Sequence, residues 1–177
     1  AAGNSAGHAV TTPANCPGVI GVAALRHVGT KVGFSDLGPE IALSAPGGNC
    51  VNVTAGSACL YPILTTSDTG TTTPVAPTWT DSYRASLGTS FSAPLVSGTV
   101  ALMLSAQPTM SPPQVRLLLQ ATARAFPAAP GDNGGDAGVP QCTEQRYDTD
   151  GQPVDQLECY CTTETCGAGM LDAGAAV

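Results

Sequence analysis

The sequence predicts an α/β protein built on a mostly parallel sheet with helices on both faces. Three observations predict it. Residues 19–25 (VIGVAAL) and 41–47 (IALSAPG) are short apolar runs bounded by Gly and Pro, the pattern of strands buried on both sides. Residues 90–106 carry apolar side chains on nearly every side, as a helix at the centre of a domain does. The 21 glycines and 15 prolines call for many turns and long connections, which a helical bundle lacks.

The elements follow in order. After the two apolar strands, residues 61–66 (YPILTT) predict a further strand, and the polar stretch SDTGTTTPVAPT predicts a loop. Pro94 is tolerated only near a helix start, so Ser90 lies at or just before the N-terminus of the central helix. Ala93, Ser97 and Ala101 recur at every fourth position and allow close approach of a neighbour. A second helix is predicted over 111–126, with Ser111 as cap, Pro112 in the first turn and Gln114 completing a capping box. Its inward stripe is Val115, Leu118, Leu119 and Thr122. Residues 127–169 show no periodicity, and GAGMLDAGAAV closes the chain as a short apolar element.

Composition excludes some partners. A net charge of −7 with only six Lys and Arg offers no phosphate-binding face, so nucleic acid is not a partner. The apolar run 96–106 is broken by Ser97, Gly98, Thr99 and Ser105 and is shorter than the roughly 20 residues that span a bilayer, so no membrane partner is expected. Seven cysteines are many for 177 residues. The spacing of Cys159, Cys161 and Cys166 (C-x-C, then C-x4-C) suits a tetrahedral zinc poorly, so disulfides and an oxidising, secreted setting are expected. An odd count leaves at least one cysteine free or paired with another chain.

The candidate chemistry centres on GTSFSAPLVSG, residues 88–98. A hydroxyl at a helix N-terminus sits among unpaired N–H groups and the positive end of the helix dipole. That position suits an N-cap. It also suits a nucleophile beside which an oxyanion develops, though caps far outnumber nucleophiles at such positions.

GTSFSAPLVSG resembles the serine motif of the subtilisin-like serine proteases (subtilases), usually GTSMAxPxVxG. The opening AAGNSAG resembles that family's oxyanion stretch, and residues 12–47 and 166–177 resemble its following strands and its end. The resemblance implies a three-layer subtilisin-like fold, incomplete in this chain. Residues 1–126 would be core, 127–169 a disulfide-rich insertion and 170–177 the closing element. It implies a secreted endopeptidase acting on polypeptides, with Ser90 as nucleophile, Asn4 in the oxyanion hole, Thr89 in support, and Ala1, Ala2 and Gly3 lining the substrate pocket.

The family's Asp and His motifs precede the oxyanion asparagine and are absent here. His8 and His27 lie outside any HGTxVAG context and read as surface histidines. The resemblance therefore implies an N-terminal segment that supplies Asp and His, without which the chain is inactive. Cys50–Cys59, Cys142–Cys159 and Cys161–Cys166 would then be disulfides, leaving Cys16 to pair with that segment. The alternative is a catalytically inactive subtilase-derived fragment or binding module. No cofactor is required for the chemistry. A structural calcium has weak support: Ala42 stands where relatives often carry an aspartate. Asp148, Asp150 and Gly151 fit part of a calcium loop, but Arg146 and Leu157 fill its first and last ligand positions, so a solvated turn is expected.

Overall fold

The computed structural model describes residues 1–48, 61–81, 87–128 and 138–177. Strand β1 (Gly21–Leu25) and strand β2 (Ile41–Pro46) pair in parallel, with an irregularity between Gly21 and Val22 that shifts the register. All of β1 and all of β2 except Pro46 are buried, as their continuous apolar pattern requires. Two helices pack against this pair. Helix α1 spans Thr89–Ala106 and helix α2 spans Pro112–Ala121; a short helix α3, Ala173–Ala176, ends the chain. Val96 and Met103 of α1, Val115 and Leu119 of α2, and Ala176 form one cluster with Val22, Leu43 and Ala45. The opposite side of the pair is covered by the N-terminal segment, through Ala2, Val10 and Ala14 on Ala23 and Ile41. Leu25 reaches a third cluster with Leu37 and the four C-terminal cysteines.

Two expectations shift. The strand expected at 61–66 forms four residues later, as β3 (Thr65–Asp68), and pairs antiparallel with β4 (Pro77–Thr80). Pro62 has no N–H to give a ladder, whereas Asp68 Oδ1 accepts from Gly70 and Val75 N–H, both at 2.7 Å, and so shapes the turn inside the stretch expected to be loop. Helix α2 stops at Ala121 instead of continuing to 126. Arg124 leaves the helical path because it exchanges backbone hydrogen bonds with Met170, both 2.8 Å. Its start is as expected: Ser111 N–H donates to Gln114 Oε1 at 2.8 Å in a capping box.

Helix α1 differs from a helix buried all round. Thr89, Ser92, Val96, Thr99 and Met103 face inward, while Leu95 and Leu102 are 42% and 57% exposed. The apolar sequence thus exceeds the cover that the described residues provide.

Candidate active site

Gly88 sets the turn into α1. Its φ of 132° lies where L side chains are strained, and its N–H donates to Gly47 O at 2.9 Å, just past the end of β2. Ser92 Oγ adds a bond to Pro46 O at 3.1 Å. The start of α1 is therefore moored to the C-terminal end of the sheet. Ser90, the second helical residue, is exposed; Thr89 is buried.

The N-terminal segment meets this helix end. Ala2 N–H donates to Val22 O at 2.9 Å, and Gly3 N–H donates to Thr89 Oγ1 at 3.2 Å. Thr89 holds Asn4 by its side-chain carbonyl: the Thr89 N–H and hydroxyl approach Asn4 Oδ1 at 3.0 and 2.9 Å. With Oδ1 so engaged, the Asn4 amide nitrogen faces the other way. A methyl group built on Gly88 would lie 3.2 Å from Asn4 Nδ2 and 3.7 Å from the Ser90 amide nitrogen. Two N–H donors thus flank a space that exists because residue 88 has no side chain. Neither donor has a hydrogen-bond partner among the described residues. An anion placed there would meet both donors and the positive end of α1.

The other expected pocket residues divide. The Ala2 side chain lies in the core with Val10 and Ala23, so only its backbone can face a substrate. Ala1 is exposed and Gly3 half-buried. Neither histidine is bonded to Ser90: His8 Nε2 pairs with Asp155 Oδ1 at 2.8 Å, and the His27 ring stacks on Tyr61 at 4.0 Å. Burial and the neighbouring Arg26 charge push the His27 pKa down, with Glu158 opposing.

Two buried charges beside the site were not singled out in the sequence. Lys31 is fully buried, and its Nζ donates to the carbonyls of Val32, Gly33 and Ser35 at 3.1, 3.2 and 2.8 Å. Burial pushes its pKa from 10.5 to about 7, against the pull of Asp36, Asp155 and Glu158. Asp36 is 1% exposed, and burial pushes its carboxyl up while hydrogen bonds from the Ser5 and His8 amides draw it down. The signal was available: Lys31 and Asp36 bracket VGFS in a chain only 11% charged.

The sequence profile of the subtilase family, peptidase S8, matches residues 1–151. The chain belongs to the subtilase family. It is 42% identical over 131 residues to an extracellular protease of Xanthomonas campestris pv. campestris, covering 73% of this chain and 20% of that protein. Subtilisin DY of Bacillus licheniformis is 32% identical over 127 residues, covering 70% of this chain and 38% of the relative. Among solved structures, a protease of Pseudoalteromonas arctica superposes with a TM-score of 0.70 at 30% identity, covering 99% of this chain and 40% of its own. This subtilase chain therefore spans about a fifth to two fifths of the length of these relatives.

In this subtilase the C-terminal cysteines form two disulfides, Cys142–Cys159 and Cys161–Cys166. The sulfurs of Cys142, Cys161 and Cys166 lie within 4.8 Å of one another, but as disulfides they offer no thiolate to a metal. Cys16 is free and exposed, and the Cys50–Cys59 pairing lies outside the described residues. Asp148 Oδ1 accepts from the Asp150 and Gln152 amides at 2.9 and 2.8 Å, which is how an aspartate builds a turn.

Proposed function

We propose that this chain is the part of a secreted subtilisin-like serine endopeptidase that holds the nucleophile and the oxyanion donors. Ser90 Oγ gives its proton to the base and attacks the scissile carbonyl of a polypeptide. The C–N bond breaks, the departing amine takes that proton, and the acyl-enzyme ester left on Ser90 is then hydrolysed by water. The carbonyl oxygen takes the negative charge between Asn4 Nδ2 and the Ser90 N–H, and Thr89 keeps the Asn4 amide turned toward it. The backbone of residues 1–3 forms one wall of the pocket for the residue before the cleaved bond. One observation carries the reading: both donors border the space left by Gly88, beside the serine and at the start of α1.

The base and its orienting carboxylate come from a segment of the same domain outside these 177 residues. Exposed Cys16 is the anchor through which that segment is tied by a disulfide. The homology to extracellular proteases and the two disulfides support a secreted protein.

The test uses the full-length protease, a fluorophosphonate probe and a peptide substrate. Wild type should be labelled and should cleave, while Ser90→Ala should lose labelling and about 10³-fold or more in kcat. Labelling that survives in Ser90→Ala would overturn the assignment. Absence of labelling and cleavage in the wild type would favour the inactive fragment.

A further inference from the structure

Asn4 points correctly only if the peptide groups on either side of it are fixed. Among the described residues, the one that holds both is Asp36. Its N–H donates to Gly3 O at 3.0 Å, and its Oδ1 accepts from Ser5 N–H at 2.8 Å, so the two bonds bracket Asn4. The same oxygen also accepts from His8 N–H at 3.2 Å, closing the turn that runs through Ala6 (φ 59°) and Gly7 (φ 85°). The two segments are then zipped further by Ala6 N–H to Phe34 O at 3.0 Å and Leu37 N–H to His8 O at 3.1 Å.

The fit is close. At Gly3, which has φ +123°, a methyl group would come within 2.2 Å of Asp36 Oδ2. The carboxylate therefore packs on the backbone immediately before Asn4, where any other residue would push it away. Lys31 shapes the turn that presents Asp36, gathering the carbonyls of Val32, Gly33 and Ser35 around its Nζ. A carboxylate this deeply buried is costly unless its charge is met by donors. Here the donors are the backbone amides of the oxyanion loop itself.

We propose that Asp36 is the positioning residue of the oxyanion site: it clamps the peptide groups flanking Asn4, as Thr89 clamps the Asn4 side chain. This rests on the reading of Asn4 as an oxyanion donor. Asp36 touches neither substrate nor nucleophile and acts only through Asn4.

Asp36→Asn keeps the shape and removes the charge. Its Oδ1 would meet the Ser5 and His8 amides with weaker bonds, and its NH2 hydrogens would crowd Gly3. In the full-length protease, kcat should fall about 5- to 20-fold with KM within about twofold, part of the 10²–10³-fold that a lost oxyanion donor costs. The deciding comparison is the double variant. If Asp36 works through Asn4, then Asp36→Asn should change kcat by less than about twofold once Asn4→Ala is present. An equal fall in both backgrounds, or an unchanged kcat in the single variant, would overturn the proposal. If Asn4→Ala itself leaves kcat unchanged, the oxyanion reading fails and this inference with it. Should Asp36→Asn not fold, Asp36→Ser, which retains a smaller acceptor, is read by the same cycle with the same outcomes.

Discussion

The loop that carries Asn4 and the disulfide-rich segment lie against each other yet are ordered by opposite means. They meet where Gln156 N–H donates to Ala6 O at 2.7 Å, Lys31 N–H donates to Cys159 O at 2.9 Å, and His8 pairs with Asp155. The disulfide-rich side is fixed by two covalent bridges, an apolar cluster and the ion pair of Arg26 with Glu158. Residues 3–8 and 31–36 have no crosslink. They are fixed by buried charges whose partners are backbone amides and carbonyls. A bridge limits how far a chain can wander, whereas a bond to each neighbouring peptide group sets direction. Donors aimed at a developing charge need the second kind of order.

The largest effect should come from Lys31→Met. It strands three buried carbonyls around an apolar side chain, for a loss of about 3 kcal/mol, within the range for breaking a buried charge network. Denaturant unfolding of the full-length protease checks this, and kcat should fall with stability because the Asp36 turn loosens. The same residue sets a pH dependence. Its pKa drops on folding from 10.5 to about 7, so between those values the unfolded chain binds a proton that the native protein has released. Its contribution to stability therefore falls as pH is lowered from about 10 to about 7 and is constant below that. The difference between wild type and Lys31→Met, followed across this window, should show that slope; parallel curves would refute it.

The covalent side should respond differently. Replacing Cys142 and Cys159 together by Ala opens a bridge of sequence separation 17, worth about 3 kcal/mol or less on chain-entropy grounds. Because the bridge orders no peptide group next to Asn4, kcat at a temperature where the variant is folded should stay within about twofold of wild type. A tenfold loss of kcat without unfolding would show that the two regions are one mechanical unit.

How much of this was legible in the sequence follows the same division. Strands β1 and β2, the start of α1 at the serine and the capped start of α2 are local patterns of burial, glycine and proline, and local patterns are readable. The end of α2 was not, because Arg124 is drawn off by Met170, a partner 46 positions away in sequence. The polar stretch before β4 likewise hides a hairpin whose pairing is cross-strand. Ser90 and Asn4 lie in motifs that mark them as candidates. Asp36 and Lys31 do not, because their partners are backbone groups, which carry no residue identity. The outer side of α1 shows a further limit: its apolar pattern promised burial, yet Leu102 is left 57% exposed by the described residues.

The smallest effect should fall on the contact between the two regions. The His8–Asp155 pair joins groups whose side chains are 28% and 64% exposed, so water and salt screen it and each side chain gives up rotamer freedom to hold it. Asp155→Ala should therefore change stability by less than about 1 kcal/mol and leave kcat unaltered. Gln156, the next residue, is buried; its Oε1 accepts from Thr143 N–H at 2.9 Å, and its side-chain amide donates to Thr143 O at 3.0 Å and approaches Gly7 O at 3.4 Å. Gln156→Ala strands those groups at a cost of about 1–3 kcal/mol. Unfolding curves of the two neighbours make a paired test. If Asp155→Ala proved the more damaging, the surface charge pair, not the buried amide, would be what seats the disulfide-rich segment on the Asn4 loop.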